Sequence, residues 1–305
     1  MKYKEWLMTW LENYVKPTRK IRTYDLYKQM IEKKIVPYLG DYEIKELTPI
    51  DVQRYVTNML GKGNLRTGKG LSSNSVNGII SVIQSSLQTA YRLGLTKVYI
   101  GDKIIRPKIT EKRIECFTAA EQRKIEQAAL YSTALKMRGV VICLYTGLRI
   151  GELLALTWED VDFNKGEIGI SKSCYCGKHG RAIDRVKTEH SERVIPLSKQ
   201  ILRILHSMKK ASDCEYVISL NGKPVTTRSY QRSFEILQNK LHIRHRGFHA
   251  LRHTFATRAL ECGMDVKMLS EIMGHKNSAI TLNRYAHSMN EHKRAMMNKL
   301  GKNLD

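Results

Sequence analysis

Residues 249–287 contain three motifs that decide how the chain is interpreted: His249-Ala250-Leu251-Arg252-His253, Gly274-His275 and Arg284-Tyr285-Ala286-His287. A fourth motif, Thr146-Gly147-Leu148-Arg149-Ile150-Gly151-Glu152, precedes them. Pairs of arginines clamp a phosphate in a fixed, bidentate geometry, and a tyrosine can attack that phosphate and become covalently linked to it. Two arginines, two histidines and one tyrosine in this order therefore favour a phosphoryl-transfer site.

The charge of the chain favours a polyanionic partner. Of the 305 residues, 52 are Lys or Arg and 29 are Asp or Glu, which gives a net charge of +23. Basic residues exceed acidic ones by 10 over residues 1–110 and by 13 over the rest, so the charge is not confined to a tail. A positive field over both halves favours nucleic acid over the alternative of an ordinary solvated basic surface.

The first 95 residues are predicted to form a helical domain. Trp6 and Trp10 recur at helical spacing, and apolar residues keep that spacing through a long helix from Ser72 to Leu93. Thr48-Pro49-Ile50-Asp51 is a strong helix start, because a capping hydroxyl precedes a proline and an acid in the first turn.

A glycine- and lysine-rich segment, residues 61–70, lies inside this helical domain. Its cations are candidate DNA-binding residues, Lys62, Arg66 and Lys69. A flexible backbone with cations suits contact with phosphates. A plain mobile loop is an equally good interpretation of the same residues.

The chain is predicted to continue through a linker, residues 96–115, into a second domain, residues 116–305. That domain opens on a capping box, Thr118-Ala119-Ala120-Glu121, and continues in helices to Trp158. Short strands are predicted over 161–163, 167–170 and 193–197, followed by helices over 199–209, 227–241, 248–261 and 265–273. The pattern predicts a mainly α fold with a small antiparallel β-sheet, of the α+β class.

The six cysteines are scattered and several lie in apolar runs, which indicates a reduced protein. The segment Cys174-Tyr175-Cys176-Gly177-Lys178-His179 has metal-binding residue types. Its spacing matches no common zinc module and a fourth ligand is missing, so a hairpin loop is favoured and no metal is expected. The chain lacks a stretch long enough to span a membrane and a signal-peptide pattern, so a cytoplasmic protein is expected.

The four motifs resemble the active site of the tyrosine recombinases, the phage-integrase family. The resemblance extends over nearly the whole chain and implies a helical core-DNA-binding domain followed by a catalytic domain. It implies a site-specific recombinase that cuts and rejoins DNA through a 3′-phosphotyrosyl intermediate, without metal, ATP or any other cofactor. Many phage integrases carry a further N-terminal arm-binding domain. This chain starts almost at the core-binding part, as either a minimal recombinase or a truncated longer protein.

The resemblance assigns a role to each motif residue. Arg149 and Arg252 would clamp the scissile phosphate, and Tyr285 would be the nucleophile. His275 would donate a hydrogen bond to that phosphate. His249, three residues before Arg252 on one helix, would donate to the phosphate or accept the tyrosine proton.

Two further residues complete the expected site. Glu152, one helical turn after Arg149, would pair with that arginine and hold the cations of the pocket in place. Lys187, in the run Lys187-Thr188-Glu189-His190-Ser191-Glu192-Arg193-Val194-Ile195-Pro196-Leu197, would protonate the leaving 5′ oxygen. Lys172 is the competing candidate for this acid, and Arg185 also lies close in sequence.

The amino-acid sequence of the motifs resembles that of integrases of Gram-positive phages and conjugative transposons, which favours integration or excision of a mobile element. The length resembles the Xer-like chromosome- and plasmid-dimer resolvases, so resolution stays an alternative. A type IB topoisomerase and an inactive DNA-binding regulator are the other rivals. The implied partners are double-stranded DNA at specific recombination sites and a directionality or host DNA-bending factor, at the nucleoid of a bacterial host.

The C-terminal residues predict a tail helix over 288–300. Ser288-Met289-Asn290-Glu291 is a capping box, and Met289, Met296 and Leu300 would form one apolar stripe. In the family such tails commonly dock on a neighbouring protomer, which implies a monomer in solution and a homo-tetramer on DNA. Docking in cis, as the last helix of the catalytic core, is the alternative.

Overall fold

A computed structural model describes residues 1–109, 115–177, 180–185 and 192–275, together with Met297. The chain divides into two compact units, Met1–Lys112 and Arg113–Asp305. Helices dominate both units, and small antiparallel sheets occur in the second. The predicted α+β fold is confirmed.

The regular elements of the first unit, over its described residues 1–109, are helices. Its helices are α1 Tyr3–Trp10, α2 Ile21–Met30, α3 Val36–Leu39, α4 Pro49–Lys62 and α5 Ser73–Arg92, with a short 3₁₀ turn at Gly101–Lys103. Helices α1 and α2 each continue into one wider π-helical turn, Leu11–Val15 and Ile31–Ile35. The first and last residues of both π turns are buried, so the wider turns add to the core.

The aromatic residues of α1 anchor that helix to α5. Tyr3 shares a 2.7 Å hydrogen bond between its hydroxyl and that of Ser86, and the Trp6 indole donates to the Ser86 carbonyl at 3.0 Å. The Trp10 indole donates to the Thr89 hydroxyl at 3.0 Å. Their rings fill the core while their polar atoms are satisfied, as buried aromatic residues require.

Residues after α5 pack back onto the first unit. Ile104 is buried in its core, and the Arg106 guanidinium donates to the Gln84 side chain of α5 at 2.5 Å. Asn77 of α5 donates to the Pro107 carbonyl. The segment predicted as a linker from residue 96 is therefore, up to Pro107, part of the first unit. The buried Ile104 side chain and the hydrogen bonds to Gln84 and Asn77 of α5 hold this segment there.

The second unit carries both helices and strands. Its helices are α6 Ala119–Leu130, α7 Arg138–Thr146, α8 Ile150–Ala155, α9 Lys199–Lys210, α10 Thr227–Lys240, α11 His249–Glu261 and α12 Val266–Met273, with 3₁₀ turns at Leu135–Met137 and Trp158–Asp160. Its strands are β1 Val161–Asp162, β2 Glu167–Ile170, β3 Lys172–Gly177, β4 Gly180–Arg185, β5 Arg193–Pro196, β6 Ser219–Leu220 and β7 Lys223–Pro224.

The strands form three antiparallel sheets, in the order β1-β2-β5, β3-β4 and β6-β7. Ile168 of β2 lies opposite Ile195 of β5, and both are buried. The β3-β4 hairpin is longer than the predicted loop at residues 174–179. Of the β3 residues whose burial is described, Cys174 alone is buried, so the hairpin lacks the apolar alternation that marks a strand in sequence.

Helix α7 lies at the centre of the second unit. Residues 139–144 are all buried, as expected for a helix that is apolar on every side. It packs against α6, α8, α9 and α11. Among the described residues no helix combines the length and apolar character that a membrane crossing needs.

Candidate active site

Arg149 lies in the turn between the end of α7 and the start of α8. Gly147 ends the helix in the left-handed conformation, with φ of 65°. A Cβ on this glycine would lie 2.5 Å from the Phe255 ring of α11, so no other residue fits without displacing that ring. Arg149 follows as the N-cap of α8.

Arg149 is held by Glu152, as predicted for this pair. Its Nη1 donates to Glu152 Oε1 at 2.7 Å, and its backbone nitrogen donates to Oε2 at 2.9 Å. Its Nη2 donates to the Gly274 carbonyl at 3.2 Å. The Arg149 side chain remains 37% exposed, so it is oriented from one side and open to a ligand on another.

Arg252 of α11 is buried, with 1% of its surface exposed. Its Nη1 donates to the Gly147 carbonyl at 2.7 Å, and its Nη2 donates to the Met273 carbonyl at 2.5 Å. The same Nη2 lies 3.0 Å from His275 Nε2. Because a guanidinium has donors only, Nε2 is the acceptor where these two atoms are hydrogen-bonded. The structure thus brings Arg149, Arg252 and His275 together.

Arg193 of β5 belongs to the same cluster, although the motifs did not single it out. Its Nη2 and Nη1 donate to the two Glu152 oxygens at 2.9 and 3.2 Å, and its Nε donates to the Ile272 carbonyl at 2.6 Å. One signal in the sequence pointed to it. Strand alternation places Arg193 on the same side of β5 as buried Ile195, and a cation on a core-facing position needs a buried acid.

The C-terminal end of α12 organises these arginines. Three consecutive carbonyls accept from three different guanidinium groups: Ile272 from Arg193, Met273 from Arg252 and Gly274 from Arg149. The last carbonyls of a helix lack partners within it and carry partial negative charge, so cations satisfy both needs. We call Arg149, Arg193 and Arg252 the arginine cluster. It fixes the helix end after which His275 follows.

The electrostatics of the cluster leave an excess of positive charge. Burial raises the pKa of Glu152, but the hydrogen bonds and charge of Arg193, together with the charge of Arg149, outweigh it and lower that pKa to about 2. Glu152 is therefore ionised at neutral pH. One carboxylate faces Arg149 and Arg193, with Arg252 beside them. This arrangement suits an anionic ligand with several acceptor oxygens, such as a phosphate.

Glu152→Gln is expected to destabilise the protein by about 3 kcal/mol near neutral pH, because it leaves Arg193 without its buried counter-charge. The folded pKa of about 2 lies below the ordinary value of 4.5, so this stabilisation is complete above the unfolded pKa. It is lost as the pH falls through the folded pKa. The free energy of unfolding, measured in urea, should therefore differ between wild type and variant near neutral pH. This difference should become smaller as the pH falls below about 4.5.

Glu235→Gln is the matched control for this experiment. Glu235 pairs with Arg232 at 3.0 Å, but the two side chains are 37% and 68% exposed. Exposed pairs contribute roughly 0–1 kcal/mol, so this variant should unfold nearly as wild type does. A Glu152→Gln deficit that stays constant with pH would contradict the assigned charge of Glu152.

The remaining predicted residues lie in several places. His249 is the exposed first residue of α11, and its ring meets that of His253 edge to face, with centroids 4.6 Å apart. Lys172 is paired with Asp160 at 2.9 Å and donates to the Thr157 hydroxyl at 3.2 Å. Lys187 and Tyr285 lie outside the described residues, and so does the predicted tail helix over 288–300 apart from the single residue Met297.

The candidate DNA-binding loop is held in shape by Asn64. The Asn64 side-chain oxygen accepts from the backbone nitrogens of Arg66 and Thr67, and the Asn64 backbone nitrogen donates to the Lys69 carbonyl at 2.8 Å. Lys62, Arg66 and Lys69 are all exposed. Hydrogen bonds within the loop therefore hold its backbone, while the three cationic side chains are exposed to solvent.

The described part of the chain holds no group of three or more His, Cys, Asp or Glu side chains arranged for a metal. Cys174 and Cys176 lie two residues apart on β3, the first buried and the second exposed. Burial raises the pKa of the Cys174 thiol, which disfavours the thiolate that binds metals. His179, the third residue of that segment, lies outside the described residues.

Comparison with known protein families gives two matches. The phage integrase family matches residues 108–292, which is more than half of the chain. The N-terminal SAM-like domain of phage integrases matches residues 2–60.

Curated proteins similar to the chain include three from bacteria. A tyrosine recombinase XerC-like protein of Caldanaerobacter subterraneus subsp. tengcongensis is 28% identical across 92% of this chain and 77% of its own length. The ICEBs1 integrase of Bacillus subtilis is 24% identical, across 91% and 77%. The transposase from transposon Tn916 of Enterococcus faecalis is 27% identical, across 87% and 69%.

Two solved structures share the fold. The Tn1549 transposon integrase, in complex with a circular intermediate DNA, superposes with a TM-score of 0.84 at 24% identity, over 98% of this chain and 99% of that one. A lambda integrase dimer bound to a COC′ core site gives a TM-score of 0.71 at 20% identity, over 93% and 77%.

Proposed function

The chain belongs to the phage integrase family and is a tyrosine site-specific recombinase, and we propose that it integrates or excises a mobile element at the nucleoid of a bacterial host. The observation that carries the proposed chemistry is the convergence of Arg149, Arg252 and His275 on the end of α12. Relatives named as an integrase and as a transposase from a transposon support the mobile element. The basic charge of the chain supports DNA as its partner.

The proposed reaction begins with a DNA phosphate bound at the arginine cluster. Arg149 and Arg252 donate to its nonbridging oxygens, and His275 stabilises the charge that grows as the phosphorus becomes pentacoordinate. The Tyr285 hydroxyl attacks the phosphorus and forms the 3′-phosphotyrosyl bond. The bond from phosphorus to the 5′ oxygen breaks, and Lys187 protonates that oxygen, which leaves as a hydroxyl. His249 serves as a donor to the phosphate or as the acceptor of the tyrosine proton. The 5′ hydroxyl of another strand then reverses the step.

The test of this function is covalent trapping. A DNA duplex that carries the attachment site and a nick beside the cleavage position loses its short 5′-hydroxyl fragment after cleavage, so religation stops. The chain should form a protein–DNA adduct that survives detergent, without ATP and in the presence of a chelator. A chain that binds this DNA but forms no adduct would instead favour the DNA-binding regulator.

Dimer resolution is a second candidate, because a XerC-like protein is among the relatives. The two functions differ in their substrates. Integration joins two different sites on separate DNA molecules, whereas resolution recombines two identical sites within one multimeric circle. Efficient recombination of identical sites, with none between different sites, would favour resolution.

Lys187→Ala is expected to lower cleavage by roughly 10²–10⁴-fold, the usual contribution of a general acid. A substrate with a bridging 5′ sulfur should restore it, because a thiolate leaves without protonation. The pairing of Lys172 with Asp160 favours Lys187 as the general acid, because the competing lysine already has a carboxylate partner. Lys172→Ala is the matched variant, and rescue by the 5′ sulfur in that variant would move the acid to Lys172. Tyr285→Phe should not be rescued.

Removal of residues 288–305 is expected to abolish assembly on DNA. We assign the tail to trans docking, so the shortened chain should keep the melting temperature of the free monomer and bind a single site. It should form no tetramer on paired sites in sedimentation experiments and should not recombine them. A large fall in the melting temperature of the free monomer would show instead that the tail docks in cis.

A further inference from the structure

The geometry points to Arg193 as a positioning residue that keeps Arg149 available to the DNA phosphate; this inference rests on the proposed function. The Arg193 side chain is directed at groups of the protein. Its side chain is 6% exposed, and all three guanidinium nitrogens already donate within the protein, two to Glu152 and one to the Ile272 carbonyl.

Each oxygen of Glu152 accepts one hydrogen bond from Arg149 and one from Arg193. Its Oε1 accepts from Arg149 Nη1 at 2.7 Å and from Arg193 Nη1 at 3.2 Å. Its Oε2 accepts from the Arg149 backbone nitrogen and from Arg193 Nη2, both at 2.9 Å. Arg193 thus presents its two-pronged end to the carboxylate, whereas Arg149 gives it one side-chain nitrogen and remains partly exposed.

This division of contacts decides how much charge Arg149 offers a ligand. Glu152 is 3% exposed, and a buried carboxylate needs full compensation by hydrogen bonds and opposite charge. Without Arg193, Arg149 would be the remaining cation in contact with Glu152 in the described structure. The carboxylate would then draw in both Arg149 nitrogens and compete with the phosphate for them.

Arg193 also fixes the helix end that carries His275. Its bond to the Ile272 carbonyl is the first of the three arginine contacts on the end of α12. A Cβ on Gly274, which has φ of 61°, would lie 3.0 Å from Arg193 Nη1. The close packing of this glycine against Arg193 means that one side chain contacts both the carboxylate and the turn before His275.

The experiment compares Arg193→Met, Arg193→Lys and the double variant Arg193→Met/Glu152→Gln by single-turnover cleavage of the nicked substrate. Arg193→Met should slow cleavage by roughly 10- to 100-fold, as loss of a partner that orients an active-site ligand does, with unchanged DNA affinity. Arg193→Lys should recover part of the rate, since lysine restores the charge but not the forked geometry. The double variant should recover most of it, because neutral glutamine no longer captures Arg149.

Arg246→Met is the control for loss of stability alone. Arg246 pairs with Glu121 at 3.0 Å in the same unit, with side chains 13% and 22% exposed, and contacts no residue of the arginine cluster in the described structure. It should lower the melting temperature without slowing cleavage by the folded protein. The inference is overturned if Arg193→Met cleaves at the wild-type rate, or if the Glu152→Gln exchange restores nothing. Failure of the wild-type chain itself to form an adduct would refute the proposed function instead.

Discussion

Tyr285→Phe is expected to abolish covalent attachment of the protein to DNA, by more than about three orders of magnitude, while DNA affinity stays unchanged. Phenylalanine keeps the ring and removes only the oxygen that forms the phosphotyrosyl bond. The arginine cluster remains to bind the phosphate, so substrate binding and the chemical step separate in this variant. Adducts on the nicked substrate, resolved on a denaturing gel, measure the loss.

Tyr216→Phe is the matched control for the nucleophile. The Tyr216 ring lies under the Arg181 guanidinium, 4.2 Å from its carbon to the ring centroid, and phenylalanine preserves that stacking. This variant should form adducts at the wild-type rate. A Tyr285→Phe protein that still gives an adduct stable to detergent would mean that another residue is the nucleophile.

Helix positions were predictable because their signals are local. The caps at Thr48 and Thr118 act within one turn of the residues that they cap, and both were read correctly from sequence. A hairpin loop was predicted over residues 174–179, but strands β3 and β4 were not, because they are stabilised by pairing with each other rather than by an apolar face. Burial of their residues depends on α8, whose Gly151 lies against Cys174.

The site was predictable only in part. Motif order placed Arg149, Glu152, Arg252 and His275, and the structure describes all four in one cluster. Arg193 is 41 residues from Glu152, and their pairing depends on how β5 lies against α8 and α12. Contacts to backbone carbonyls of α12 carry no signature in side-chain identity. The donor side chains of such a cluster can be predicted from sequence motifs, whereas the backbone carbonyls that accept from them cannot.

The two phosphate-binding arginines should differ in what their loss does to the fold. Arg149→Ala and Arg252→Ala are each expected to slow cleavage by roughly 10²–10³-fold or more, since each removes a preorganised donor from the charge that develops at phosphorus. Arg149 is partly exposed, and Glu152 keeps Arg193 when Arg149 is lost. Its alanine variant should therefore melt within a few degrees of wild type.

Arg252→Ala should also destabilise the protein, because the Gly147 and Met273 carbonyls lose their buried donor. An unsatisfied buried acceptor costs about 1–3 kcal/mol, so two of them lower the melting temperature by several degrees. Single-turnover cleavage and thermal melting of both variants measure the two effects separately. Equal melting temperatures would mean that Arg252 is not the buried clamp between α7 and α12, and wild-type cleavage by Arg149→Ala would remove that arginine from the proposed phosphate site.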